Sequence, residues 1–476
     1  MKLALVNIMG KEADPPLGLA YIASYIREYS GFKNTIILDR GDIIKKLKKE
    51  KPDLVGFSSI TYLFPSINQL AKKVKQILDI PVIVGGQHIS SLPIHLASSV
   101  FDLGVIGEGE QTMLELIQLF EKNGNFPINE LRKIKGIVFR NERKENEITE
   151  ERQLIEPLDK IPFPARDLLD MGRYLTPRRG SFKELGIYTA MLTSRGCPYK
   201  CAFCSPTLFW KKFRSFSAKY VFEEMKMLVE KYKIEGILIW DDLFIADKKR
   251  LKLISDMMEK EKLNEKIRLS IFGRANLIDE EMCKILKKMN VTAIDFGLES
   301  GSEKILKYLK KGTVTVKDNY RALKICKEYG MKTIGTLIMG SPDETEEDLK
   351  STLNLINNRN LDEPHIFQLM PLPGTEVWEY AKNIDVVSDD HSFDFSKLQM
   401  KTFNSNLILT KHISKENLIK WYSIILENVN KKGYKININK TKYLKYLFTN
   451  KKLLLKILSN WREYLHYLNN IMTKNK

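Results

Sequence analysis

Three cysteines, Cys197, Cys201 and Cys204, stand within eight residues of one another in the stretch MLTSRGCPYKCAFCSP (191–206), in a chain that has only five. The CxxxCxxC spacing brings three thiolates to one loop. Structural zinc takes four ligands, usually as two CxxC pairs or with histidines at short spacing. No histidine lies near this loop, and Cys283 and Cys326 are alone in their own segments. A 4Fe-4S cluster held by three cysteines leaves one iron without a protein ligand, an open position for a chelating substrate or cofactor. Buried free cysteines usually come singly on an apolar face, and an odd trio suits paired disulfides poorly. The expected metal ligands are therefore Cys197, Cys201 and Cys204, on a 4Fe-4S cluster.

The elements that must hold this loop are strands and helices in alternation. From Tyr188 onward six apolar runs, YTAMLTSRG, GILIWDD, RLSIFGRA, VTAIDFGLES, TIGTLIMG and HIFQLMPLPGT, are separated by amphipathic patterns such as VFEEMKMLVEKY and YRALKICKEY. Repeated strand–helix units form a parallel sheet, open or closed into a barrel, and in barrels the chemistry sits at the carboxyl ends of the strands. Polar residues gather there: the cysteines after the first strand, Asp241 and Asp242 after the second, Arg274 after the third, Glu299 and Ser300 after the fourth, and Gln368 in the sixth.

Upstream, KLALVNI, NTIILD, DLVGFSS, IPVIVGG and DLGVIGEGE are continuously apolar, as in a parallel sheet covered on both faces. This predicts a doubly wound, Rossmann-like domain whose ligand sits at the strand ends. Those ends are Asn7 to Gly10, Ser58 to Thr61, Gly85 to His88 and Gly107 to Glu110. No GxGxxG opens the first helix, which argues against a dinucleotide. The expected division is 1–130 for this domain, 131–187 for a proline-bearing connector with a small hairpin, 188–380 for the second domain and 381–476 for a basic helical region.

The chain has 476 residues, enough for two or three domains, with 77 Lys and Arg against 59 Asp and Glu, a formal charge of +18. Between Lys431 and Lys476 there are 12 basic residues and one acid, Glu463, so the tail carries more than half of the excess. The N-terminal apolar run is short and broken by Asn7, unlike a signal peptide, and no stretch approaches the length of a membrane span. The expectation is a cytoplasmic protein, where thiols stay reduced.

The motif CPYKCAFC, with aromatic Phe203 before its last cysteine, resembles that of the radical S-adenosylmethionine (radical SAM) superfamily. WDDLF, GRANLID, GLESGSEKIL, LIMGSPDET and PLPGTEVW resemble the strand-end motifs of the branch with an N-terminal cobalamin-binding domain. PPLGLAYIASYI, VGFSSIT, VGGQHISSLP and GEGE resemble that domain itself. The resemblance covers roughly 375 of the 476 residues.

It implies an α/β fold: a flavodoxin-type cobalamin domain, a partial (β/α)6 TIM barrel and a helical C-terminal extension. It also implies three cofactors: a 4Fe-4S cluster, S-adenosylmethionine and cobalamin. The open iron would chelate S-adenosylmethionine, whose reductive cleavage yields a deoxyadenosyl radical. Phe203, Asp241, Asp242, Arg274, Glu299 and Ser300 would then contact S-adenosylmethionine: Phe203 along the adenine, the Trp240–Asp242 turn at the methionyl amino group, Arg274 at the carboxylate, and Glu299 and Ser300 at the ribose or amino group. Ser58, Ser59, Thr61, Gly85, Gly86, Gln87, Glu108 and Gly109 would line cobalamin. Two departures stand out. WDD replaces the family's GGE-like turn, and the DxHxxG motif is absent, LDRGD holding no histidine, so cobalamin is expected base-off without histidine ligation. His88 follows the glycine pair, but a lone loop histidine is more often structural.

The leading function implied is methyl transfer to an unactivated carbon or phosphorus centre through methylcobalamin. A second is radical cyclisation, ring contraction or coupling without net methyl transfer. A third, from another class, is a cobalamin carrier or sensor with an inactive barrel, against which the intact cysteine motif argues. Expected partners are an electron donor such as flavodoxin or ferredoxin and a small-molecule, lipid or peptide substrate. No RNA-binding module is recognisable, and the cysteines of a methylthio-transferring tRNA enzyme's additional cluster are missing. In the C-terminal region Ser414 is a plausible helix cap. The apolar stripe after it is expected to pack on the barrel, with contact of its basic face to a membrane surface as the alternative.

Overall fold

The computed structural model describes residues 1–8, 14–175, 182–399, 403 and 406–432, and Met1 to Lys432 form one compact unit. The N-terminal strands are β1 (Leu3–Val6), β2 (Thr35–Leu38), β3 (Leu54–Ser58), β4 (Val82–Gly85) and β5 (Leu103–Val105), followed by a hairpin of β6 (Ile137–Arg140) and β7 (Asn146–Ile148). They lie in the order β2-β1-β3-β4-β5-β6-β7, the first five parallel and the hairpin antiparallel.

The unbroken apolarity of β1 has a simple cause. Leu3 and Leu5 face one core with the helices Leu17–Ser30 and Gly109–Asn123, while Ala4 and Val6 face a second core with Ile43–Glu50 and Phe64–Leu78. Each fully buried aliphatic side chain contributes about 1.5–3 kcal/mol, so both faces of the pleat are held. The boundary expected at residue 130 is corrected: the hairpin assigned to the connector continues the N-terminal sheet to Ile148, because Leu103, Gly104 and Val105 of β5 pair with Phe139, Val138 and Ile137.

The second sheet has six parallel strands, all at the expected positions: β8 (Tyr188–Met191), then, after the short antiparallel pair β9 (Ser194–Arg195) and β10 (Arg214–Ser215), β11 (Gly236–Ile239), β12 (Arg268–Gly273), β13 (Val291–Glu299), β14 (Lys332–Met339) and β15 (Glu363–Gln368). The order β15-β14-β13-β12-β11-β8 leaves β8 and β15 as unpaired edges, a partial barrel. The intervening helices start at side-chain caps, among them Ser217, Asp247, Asp279, Ser302, Thr315, Thr345 and Thr375. Each satisfies an orphan backbone N–H for about 1 kcal/mol. The cap fixes where the preceding strand-end loop stops.

Ser414 caps the helix Lys415–Lys431 as expected, and Leu418, Ile425, Leu426 and Val429 are buried where that helix packs against β15 and the helix Glu346–Ile356. The rest of the basic C-terminal stripe lies outside the described residues. Among the described residues no helix is long and apolar enough to cross a membrane.

Candidate functional site

The cysteine loop leaves β8 through Gly196, at φ 81°, where a Cβ would stand 2.5 Å from the carbonyl oxygen of Lys212. A side chain there would push the loop off its own return strand, since β9 and β10 pair on either side of it. The backbone N–H of Cys204 donates to Cys201 O at 3.1 Å. Ala202, between them, donates to Leu309 O at 2.9 Å and accepts from the Val377 N–H at 3.3 Å.

Cys197, Cys201 and Cys204 are free and half-buried. Burial and the neighbouring cysteines push the Cys204 thiol up to about 12 and raise Cys197 as well. Neighbouring sulfurs whose burial resists ionisation, as at Cys197 and Cys204, are donors that a strongly cationic group relieves. Arg274 adds positive charge beside them: its Nη1 lies 3.4 Å from Cys201 Sγ, and its guanidinium lies over the Tyr199 ring at 3.7 Å. Among the described residues no three His, Cys, Asp or Glu side chains form a site for one metal ion. A cluster makes no such demand, since each cysteine binds its own iron. The residues present fit a 4Fe-4S cluster.

The strand-end residues divide into those that face this loop and those that brace it. Asp242 is exposed, and desolvation within the site, with the charge of Asp241, pushes its carboxyl up to about 6. Glu299 follows a bulge in β13 at φ 57° and is ion-paired to Lys310 at 2.7 Å, and its Oε2 is buried without a partner. Phe203 packs in the apolar cluster that contains Ala202, Ile338 and Trp378, with Lys310 Nζ 5.8 Å from its ring centre.

Two expectations are corrected. Asp241 is buried, with its oxygens accepting from Thr193 N at 2.6 Å, Thr193 Oγ1 at 2.5 Å and Ser194 Oγ at 2.6 Å, so it braces the loop rather than offering itself to an amino group. Ser300 is likewise buried, bonded to Thr352 Oγ1 at 3.0 Å and accepting from Ser302 N at 3.1 Å. Gln368 spends its amide on Leu407 O.

Across from the barrel, Ser58, Ser59, Thr61, Gly85, Gly86 and Gln87 occupy the carboxyl ends of β3 and β4. Ser59 N donates to Gly85 O at 2.8 Å, which draws the two loops together. Gly86, at φ 100°, lies so close that a Cβ would be 2.5 Å from Ser59 O. Gly86→Ala is expected to cost about 1–3 kcal/mol in backbone strain and to lower bound cobalamin, read by absorbance of the purified holoprotein. Gly107, after β5, has φ 76° and open space where a Cβ would be. Asn7 and Ile8 end β1, and positions 9–10 lie outside the described residues.

Gly109 opens its helix, and a Cβ there would meet Ile22 at 2.9 Å. Glu108, expected among the cobalamin residues, is corrected. It is buried and accepts from Arg195 Nη1 at 2.6 Å, Arg214 Nη1 and Nη2 at 3.1 and 3.0 Å, and Ile155 N at 2.9 Å, while Glu110 takes Arg195 Nη2 at 2.5 Å. His88 packs on the Phe64 ring, with ring centres 4.0 Å apart. It is buried, with Nε2 3.0 Å from His95 Nδ1, and burial followed by the neighbouring His95 pushes its pKa down to about 3.

The two sets of loops meet. The helix Gln87–Ser91, after β4, packs against the helix Pro206–Trp210, which follows the cysteines. Residues 61–63 pack against 395–398, and Trp240 Nε1 donates to Asp14 Oδ2 at 2.9 Å. Sequence reasoning missed Arg195 and Arg214, for which local pattern gives no signal. It also missed Asp295 and His365, although a lone acid inside the apolar run VTAIDFGLES was visible.

The model of the radical SAM superfamily matches residues 191–356, and that of the B12 binding domain matches residues 11–117. An uncharacterized methyltransferase of Pyrococcus horikoshii is 35% identical over 392 residues, 79% of this chain and 80% of that protein. The anaerobic magnesium-protoporphyrin IX monomethyl ester cyclase of Rubrivivax gelatinosus is 26% identical over 82% of this chain and 69% of its own. The solved structure of the radical S-adenosylmethionine methyltransferase TsrM from Kitasatospora setae superposes with a TM-score of 0.67 at 19% identity, covering 81% of this chain and 77% of that one.

Proposed function

We propose that this chain, which belongs to the radical SAM superfamily and to its B12-binding branch, methylates an unactivated carbon or phosphorus centre of its substrate. The observation that supports this reading is the packing of the loop after β4 against the helix after the cysteines, so that the carboxyl ends of both sheets open toward one another. When bound, the cluster supplies the electron that cleaves S-adenosylmethionine, and cobalamin supplies a methyl carrier.

The chain's own residues do the rest. Cys197, Cys201 and Cys204 would hold a 4Fe-4S cluster through three of its irons. Arg274, charged and beside Cys201, offers a carboxylate-binding fork. Asp242 and the unpartnered Oε2 of Glu299 offer acceptors to ammonium or hydroxyl groups. Asp241 holds no ligand in this reading. It fixes the Thr193–Ser194 turn from which the cysteine loop departs. Ser59, Gly85 and Gly86 would present backbone to cobalamin, and the close approach of Gly86 to Ser59 O leaves no room for a Cβ between the two loops. The electron donor is proposed to be a flavodoxin- or ferredoxin-type protein.

Anaerobic reconstitution followed by counting of iron, sulfide and cobalamin tests the reading together with product analysis. S-adenosylhomocysteine and 5′-deoxyadenosine formed together are the expected products. Iron without cobalamin after reconstitution with both would overturn it. The similarity to the Rubrivivax gelatinosus cyclase favours a second reading, radical chemistry without net methyl transfer, which predicts 5′-deoxyadenosine alone.

A further inference from the structure

The barrel lumen holds a carboxylate that none of the steps above uses. Phe272 pairs in register with Asp295, and Thr336 with His365, so these side chains line the inner face of β12 to β15. The floor is apolar: Leu185, Tyr188 and Leu238 pack together with Phe272 against them. In a filled barrel the inward side chains form a packed core. Here Phe272, Asp295, Thr336 and His365 are only half-buried, and Trp240, at the rim, is 43% exposed, so the lumen is open.

The lumen's own cations are committed elsewhere. Lys332 Nζ lies 2.7 Å from Glu363 Oε2, with His365 Nε2 3.0 Å from the other Glu363 oxygen, and Lys310 pairs with Glu299. Asp295 takes part in no salt bridge among the described residues, and its hydrogen bond is a long one, 3.3 Å from Thr336 Oγ1. A partly desolvated carboxylate held in no salt bridge is costly. Desolvation, with the neighbouring Glu299 and Glu363, pushes it up to about 6 against the opposing influence of His365 and Thr336. Above it, one face of Trp240 stacks on Phe272 with ring centres 5.2 Å apart at 29°, and the indole N–H is fixed on Asp14. The ring is held in place with much of its surface uncovered.

We propose that the lumen seats a substrate with a flat apolar body and a protonated amine, the body against Trp240 and the amine on the Asp295 carboxylate. The assignment rests on the methyl-transfer reading for its location, but recognition comes from this chain's own residues. A charge-assisted hydrogen bond contributes about 1.5–3 kcal/mol, roughly 10- to 100-fold in affinity. Apolar contact with Trp240 adds to any flat ring, charged or not.

Calorimetry on the full-length, anaerobically reconstituted holoenzyme with 2-naphthylmethylamine, 2-naphthylmethanol and 2-naphthoate tests it. The amine should bind at least about tenfold more tightly than the alcohol, and the naphthoate should not bind. Asp295→Asn should bring the amine to the level of the alcohol and leave the alcohol unchanged, while Trp240→Leu, at a partly exposed position, should weaken both. Equal binding of amine and alcohol by the unaltered protein, or an amine preference that survives Asp295→Asn, overturns the proposal. Iron, cobalamin and 5′-deoxyadenosine measured on the same preparation separate the two readings. A protein that cleaves S-adenosylmethionine but shows no amine preference refutes this inference alone.

Discussion

Cys201→Ala is expected to strip the bound iron and take 5′-deoxyadenosine formation to background, whereas Cys283→Ala keeps both. The three loop cysteines supply one thiolate per iron, and the nearby Asp242 offers only a hard carboxylate oxygen where a cluster iron takes a soft thiolate. Cys201 is the central member: its carbonyl accepts the N–H of Cys204, and its sulfur lies beside Arg274. Cys283 is fully buried on the helix Glu280–Lys288, near Cys326 rather than the loop. Iron per chain by colorimetry and 5′-deoxyadenosine by chromatography, measured anaerobically, read both variants. Iron retained in Cys201→Ala would show that the loop is not the cluster's seat.

Glu108→Ala should lower global stability by about 3–5 kcal/mol, the usual effect of removing one partner from a buried ion pair. The carboxylate receives Arg195 and Arg214 where both guanidiniums are almost wholly enclosed, and its loss strands Arg214 and takes away one of the two acids that hold Arg195. Glu110 still reaches Arg195, but Arg214 would keep only Ile155 O. By contrast Arg132, exposed and paired to Glu142 and Glu147, should matter little when removed.

The pH dependence follows from the same contacts. Burial alone would push the Glu108 carboxyl up, but Arg195 foremost, then Arg214 and the Ile155 N–H, hold it below its ordinary value of 4.5. Its stabilisation is therefore complete above about pH 4.5 and is lost as the pH falls through the depressed folded-state value. Urea midpoints at pH 7 and pH 4 should show the acid loss in the unaltered protein and less of it in Glu108→Ala.

These two sites also mark where the amino-acid sequence is legible and where it is not. All eleven strands expected across the two sheets are present, because apolar runs of three to nine residues between turn signals leave little else for the backbone to do. The cysteines were legible because three soft ligands at fixed spacing have few other uses. Side-chain direction was not. Asp241 and Asp242 are adjacent, and only the structure shows that the first turns inward to Thr193 and Ser194 while the second stays open. Glu108 reads as one more polar residue in a GEGE turn until Arg195 and Arg214 arrive from 87 and 106 residues away. Asp295 was visible as an acid in an apolar strand. Its setting beside Thr336 depends on register between β13 and β14, which no local pattern encodes.

The hairpin that extends the N-terminal sheet has a consequence for how the protein behaves in concentrated solution. A parallel sheet ending at β5 would present the buried, apolar strand LGV as a bare row of backbone donors and acceptors, a template for another chain. The chain instead ends that side with Asn146–Ile148, three residues long and only partly buried, beside the Arg132, Glu142 and Glu147 charges. A short charged edge offers a neighbour little to pair with. Removal of residues 137–148 should therefore show first as aggregation during expression, ahead of any loss at the cysteine loop.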